Sequence, residues 1–105
     1  MSQTHTVMVI LESKSGKEDE LKEALVRIAE CSRQEDSCIE YRLYQDTGTP
    51  SQFGLYEKWK SKELHQEQFS KPYIVEFAKQ AEALLAKPYL GVFGEEVSCT
   101  KGGTV

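Results

Sequence analysis

The amino-acid sequence predicts a single α+β domain of ferredoxin-like βαββαβ order, in which a four-stranded antiparallel sheet carries its helices on one face. Three observations lead there. Four short stretches rich in β-branched, aromatic and aliphatic residues alternate as strands do. Between them, two longer stretches repeat apolar residues at helical spacing. Thr47-Gly48-Thr49-Pro50-Ser51 has the composition of a turn and joins the second and third strand stretches into a hairpin. At 105 residues the chain has room for one hydrophobic core, and one site per subunit is expected.

The first strand runs from Thr6 to Ser13, with Val7, Val9 and Leu11 on one face and Met8 and Ile10 on the other, as in a strand covered on both sides. Ser15-Gly16-Lys17-Glu18 has the form of a capping box, in which the Ser15 hydroxyl and the Glu18 carboxylate each satisfy a free backbone N–H. The helix that follows sets Leu21, Ala24, Leu25, Ile28 and Ala29 on one side and Glu20, Lys22, Glu23 and Arg27 on the other. After the polar break Gln34–Ser37, the strand Cys38 to Asp46 groups Ile39, Tyr41 and Leu43. Its hairpin partner, Gln52 to Lys60, groups Phe53, Leu55, Glu57 and Trp59, with Tyr56 opposite. Ser61 caps a short helix through Phe69. Ser70 and Pro72 open a longer one, because proline in the first turn lacks only an N–H that has no helical partner there. Its apolar stripe is Tyr73, Ile74, Phe77, Ala78, Ala81, Leu84 and Leu85; Pro88 ends it, and Tyr89 to Val97 is the fourth strand. Residues 1–5 read as an N-terminal lead-in with His5 exposed, 6–97 as the domain, and 98–105 as a flexible C-terminal tail.

Placing both helices on one face leaves the other bare. Whichever face that is, it carries large apolar side chains, drawn either from Val7, Val9, Leu11, Phe53, Leu55 and Trp59 or from Met8, Ile10, Tyr44 and Tyr56. At about 25 cal/mol per Å2, leaving several of them in water forgoes several kcal/mol, so face-to-face pairing of two copies into a homodimer is expected. The balance of 13 Lys+Arg against 17 Asp+Glu, a net charge of −4, argues against nucleic acid. No apolar run is long enough to span a membrane, and the N-terminus lacks a basic-then-apolar leader, so a cytoplasmic protein is expected. Cys31, Cys38 and Cys99 are odd in number and widely spaced, and read as reduced structural thiols. Two histidines sixty positions apart, without a paired carboxylate motif, make no metal-ligand set, and no Gly-rich phosphate loop is present.

The Lys14–Glu18 segment, Cys38–Asp46, Phe53-Gly54-Leu55-Tyr56-Glu57-Lys58-Trp59 and Pro72 with Phe77 together resemble the antibiotic biosynthesis monooxygenase domain. The resemblance covers about residues 6–97, and its most specific piece is Tyr56-Glu57-x-Trp59 followed by a short helix, Pro72 and Phe77. It implies a dimeric α+β barrel with an apolar pocket between each sheet and its helices. It also implies oxygenase chemistry without metal, flavin or haem: a quinol or polyphenol gives up a proton, and its electron-rich anion passes an electron to oxygen. The same superfamily holds haem-degrading enzymes, isomerases of small phosphorylated ketoses and members without known activity. The apolar run Val7 to Leu11 argues against a haem role.

Many relatives place a His nine positions after the Trp. Counting from Trp59, that position here is Gln68, and the nearby histidine is His65, one helical turn earlier on the same face. His65 is the candidate catalytic base, since imidazole titrates near working pH; the alternative is a solvated helix His beside Glu63 and Gln66. Trp59, Tyr41, Tyr56, Gln68 and Tyr73 are candidate substrate contacts, Trp59 as a flat wall and the tyrosines as hydroxyl partners, each equally readable as packing. Glu57 shares a face with Leu55 and Trp59 and is expected to find Arg42 or a backbone donor, in a structural or interface role. The leading functional expectation is a cofactor-independent monooxygenase acting on a small quinol- or polyphenol-type aromatic. An isomerase or other enolising enzyme on a small ketone, and a non-catalytic ligand-binding dimer, stay open beside it.

Overall fold

The computed structural model describes residues 4–98, and what the sequence suggests for residues 1–3 and for the tail at 99–105, Cys99 included, lies outside them. The elements follow the expected order: β1 (His5–Glu12), α1 (Glu18–Ser32), β2 (Cys38–Gln45), β3 (Gln52–Trp59), α2 (Lys62–Glu67), a 3-10 turn at Gln68–Ser70, α3 (Pro72–Leu84) and β4 (Leu90–Gly94). The strands form one antiparallel sheet in the order β2-β3-β1-β4.

Register explains the core. Val9 stands opposite Leu55 and Leu11 opposite Phe53, while Leu55 meets Leu43 on its other side, so one face gathers side chains that interlock across three strands. Onto this face α1 lays Leu21, Leu25, Ile28 and Ala29, all buried. The outer face stays open in the single chain: Met8 and Ile10 are 49% and 47% exposed, against the expectation that β1 is covered on both sides. Tyr44, Leu90 and Val92 are likewise exposed.

Local geometry departs from the sequence reading at several points. Gly16 adopts φ 83°, and Lys17 N–H donates to Lys14 O, so a tight turn occupies the capping-box residues. The first helical bond is therefore accepted by Lys17, and the Glu18 carboxylate accepts from Gly16 N–H at 3.3 Å with no hydroxyl cap. In β2 a register shift between Cys38 and Glu40 turns Ile39 outward, 46% exposed, while Tyr41 stays buried. Ser61 caps as expected, accepting from Leu64 N–H, but Ser70 donates to Glu67 O, and Lys71 precedes Pro72 as the cap of α3. Finally, β4 ends at Gly94, opposite Thr6, because β1 has only His5 beyond that point.

The helix α3 stands partly off the sheet. Its C-terminal end and the residues after it are fastened to the end of β1 and the segment that follows by Lys14 N–H to Leu84 O and Ala86 N–H to Glu12 O, both 2.8 Å. Leu84 is its one buried residue, and Tyr73, Ile74 and Phe77 are only half-buried. The gap beneath it is the cavity described next. Among the described residues no helix is long and apolar enough to cross a membrane.

Candidate functional site

A cavity of about 100 Å3 lies between the inner sheet face, α1 and α3. Its apolar walls come from Val9 and Leu55 of the sheet, Leu25 and Ile28 of α1, and Ile74 and Phe77 of α3. Phe69, Tyr89 and Phe93, each close to half exposed, surround its mouth. Its polar end is made by Tyr41, Glu57, His65 and Gln68, which are 4–5% exposed. A wider groove of about 400 Å3 between α1 and α3 is lined by Glu20, Glu23, Arg27 and Gln80, solvated side chains with no buried polar group to specify a ligand.

Strand geometry assembles the polar end. Glu57 and Trp59 are two apart on β3 and so project from the same face, which lets Trp59 Nε1–H donate to Glu57 Oε1 at 2.9 Å. The register sets Tyr41 and Val7 on either side of Glu57. From α2, His65 tilts over the Trp59 indole with centroids 5.4 Å apart, and its Nε2 comes within 3.7 Å of Glu57 Oε1. Phe69, His5 and Phe93 enclose the imidazole at 5.1, 5.3 and 6.0 Å.

Enclosure sets the charges. Burial pushes the Glu57 carboxyl up to about 7, with the Trp59 N–H and Tyr41 pulling it back. Burial, and secondarily His5, drives His65 down to about 4, so the imidazole is neutral across the working range. Burial and the Glu57 charge raise the Tyr41 hydroxyl, keeping it protonated. The site therefore offers a neutral imidazole beside a carboxyl poised to exchange its proton near neutrality.

A second polar chain runs behind this end. Gln68 Nε2 donates to Ser32 Oγ at 2.7 Å and to Tyr73 Oη at 3.1 Å; Tyr73 donates to Glu35 Oε2 at 3.1 Å, and Lys71 Nζ lies 3.3 Å from Glu35 Oε1.

Several sequence-level candidates are thus placed differently from expectation. His65 and Gln68 are not alternatives, since both are buried and both line the cavity, one helical turn apart. Trp59 is fully buried behind Glu57 and His65 and forms no wall of the cavity. Tyr56 points to the outer face, opposite Met8 and Arg42, as strand alternation requires. Arg42 shares that face and pairs with Glu40 at 3.1 Å, leaving Glu57 to the Trp59 indole. Tyr73 supports Gln68 through its hydroxyl and does not line the cavity. His5 belongs to β1 and is 8% exposed.

The sequence reading missed Ser32, Glu35 and the rim aromatics. Ser32 carried a signal: it continues the Leu21, Leu25, Ile28 series on the buried stripe of α1, where a hydroxyl must find a partner. Glu35 lies in a loop and Phe69 in a 3-10 turn, where no periodicity assigns a face.

Comparison with known proteins agrees with this architecture. The family described as antibiotic biosynthesis monooxygenase matches residues 4–80. An uncharacterised protein of Synechocystis sp. is 33% identical over 75 residues, 71% of this chain and 51% of that protein, so the chain spans about half the length of the curated relative it matches. A crystal structure from Pseudomonas aeruginosa superposes with a TM-score of 0.87 at 22% identity, covering 93% of this chain and 98% of the other. A Nitrosomonas europaea protein, named as an antibiotic biosynthesis monooxygenase candidate, superposes with a TM-score of 0.85 at 21% identity, covering 92% and 93%. With that family match over most of its length and the ferredoxin-like fold shared with these structures, the chain belongs to the antibiotic biosynthesis monooxygenase family.

Proposed function

We propose that the protein is a cytoplasmic, homodimeric, cofactor-independent monooxygenase that oxidises a small quinol- or phenol-type aromatic with dioxygen, His65 receiving the phenolic proton. The observation that carries this reading is an apolar cavity closing on a buried carboxyl–imidazole pair with no Lys or Arg among its lining residues. Such a cavity suits a neutral, flat ring and disfavours a phosphorylated or carboxylated ligand, whose charge would be buried without a counter-ion. The volume of about 100 Å3 is smaller than the roughly 150 Å3 of cavities that take up benzene, so a single aromatic ring enters only with a modest outward shift of the rim side chains. A larger ligand requires the half-exposed Phe69, Tyr89 and Phe93 to swing aside.

The chemistry follows from the pair. The ligand hydroxyl gives its proton to the neutral His65 imidazole, and the Glu57 carboxylate 3.7 Å away offsets the charge that forms. The phenolate is then rich enough in electrons to reduce dioxygen in a water-poor space. A quinol and dioxygen become a hydroxyquinone and water, so the substrate supplies every electron and no external reductant is needed. Pairing of two copies across Met8, Ile10, Leu90 and Val92 fits the exposed apolar outer face.

The same pair supports a second reading, enolisation of a small neutral ketone, in which His65 moves a carbon-bound proton. Dioxygen consumption with methylhydroquinone, with labelled oxygen appearing in the product, supports the first. Deuterium exchange into a small neutral ketone without oxygen uptake would replace it by the second, and neither activity would leave a binding domain.

A further inference from the structure

We propose that Gln68 is the specificity-determining residue of the cavity, its carbonyl oxygen fixed as an acceptor that selects ligands presenting a hydroxyl donor. The chemical class of ligand rests on the phenol reading above; the argument itself concerns the direction of one amide. The two ends of a glutamine amide are nearly alike in shape, and its hydrogen-bond partners decide which end is which.

One terminal atom of Gln68 meets both Ser32 Oγ and Tyr73 Oη, at 2.7 and 3.1 Å. Tyr73 has a single hydroxyl proton, and Glu35 Oε2 takes it at 3.1 Å, while Lys71 at 3.3 Å holds the other oxygen of that carboxylate. Glu35 can only accept, so Tyr73 must turn a lone pair toward Gln68, and the atom that meets it must be an N–H. The carbonyl oxygen is thereby directed away from Ser32 and Tyr73. Among the described residues no donor reaches it, yet the buried side-chain polar atoms that lack a partner are Thr6 Oγ1 and Ser13 Oγ. Gln68 Oε1 is therefore not sealed in protein, and it opens onto the cavity that the residue lines.

A ligand O–H placed there completes the bond. An ether or a bare carbonyl in the same pose sets lone pair against lone pair and leaves Gln68 Oε1 desolvated without a donor, the situation in which polar sites discriminate most strongly. Ser32 and Tyr73 act as positioning residues, since they hold the amide and leave the ligand to Gln68.

The test compares 4-methylphenol with 4-methylanisole, binding being followed by calorimetry on the intact protein after a thermal melt confirms folding. The wild type is expected to favour the phenol by about two- to tenfold, the range of one net hydrogen bond. Gln68→Met, close in shape but unable to accept, removes that preference. Tyr73→Phe, which frees the amide to rotate, diminishes it. A folded Gln68→Met that still prefers the phenol overturns the proposal, as does a wild type that binds the two probes equally or binds neither. Retained selectivity without any oxygen uptake would defeat the oxygenase reading alone, so the two failures are distinguishable.

Discussion

Replacing His65 with phenylalanine should convert a nearly flat pH–stability profile into a steeply falling one, because Glu57 and His65 respond to pH in opposite senses. Glu57 binds its proton more tightly folded, at about 7, than at its ordinary 4.5. Its contribution is thus fully present below 4.5 and is lost as pH rises through 7. His65 binds its proton less tightly folded, at about 4 against 6.5, so its contribution is present above 6.5 and is lost as pH falls through 4. At about 1.4 kcal/mol per pH unit, each amounts to about 3 kcal/mol, and between 4.5 and 6.5 they oppose one another. Wild type should therefore vary by about 1 kcal/mol or less across that window, while His65→Phe, keeping an aromatic ring against Trp59 and Phe69, should lose about 3 kcal/mol between pH 4.5 and 7. Glu57→Gln should show the reverse, losing stability as pH falls from 6.5 to 4. Urea melts followed by fluorescence of the single tryptophan, Trp59, read both. Parallel profiles for wild type and His65→Phe would refute the assignment of a buried carboxyl with a raised affinity for its proton.

Two further expectations follow from the same contacts. Trp59→Phe removes the N–H that Glu57 Oε1 accepts at 2.9 Å, and should cost about 2–4 kcal/mol in denaturant melts while shifting the Glu57 titration further upward. Ile10→Asp sets a charge in the middle of the exposed outer face, 47% exposed in the single chain, and should convert a dimer to monomer in sedimentation analysis. A wild type that sediments as a monomer would instead remove the pairing.

Much of this architecture is legible in the sequence because it rests on periodicity. The alternation in Phe53–Trp59 and the helical stripe Leu21–Ala29 identify the inner face and the helix that covers it. The errors cluster where local geometry overrides pattern. A positive-φ glycine turned the Ser15–Glu18 capping box into a turn, and a bulge after Cys38 rotated Ile39 outward. The site was half visible. Strand alternation puts Glu57 beside Trp59 and Tyr56 on the far face, yet the expected partner of the carboxylate is Arg42 or a backbone donor; the same alternation sends Arg42 outward and leaves the Trp59 indole N–H as the donor. Helical spacing gives His65 and Gln68 a shared face, but not how far a 3-10 turn carries the second residue into the cavity. The links from Gln68 through Tyr73 to Glu35 join a helix, a turn and a loop that no spacing rule connects.

The measurement that bears most directly on the proposed oxygenase is oxygen uptake with methylhydroquinone by chelator-treated protein, across pH, for wild type, His65→Phe and Glu57→Gln. The account predicts uptake that survives chelation and rises with pH through about 7 as Glu57 becomes a carboxylate. It also predicts a loss of roughly a hundredfold or more in His65→Phe, the scale of one general base, and a flattened pH response in Glu57→Gln. Uptake no faster than the uncatalysed background, or equal in all three proteins, would contradict it.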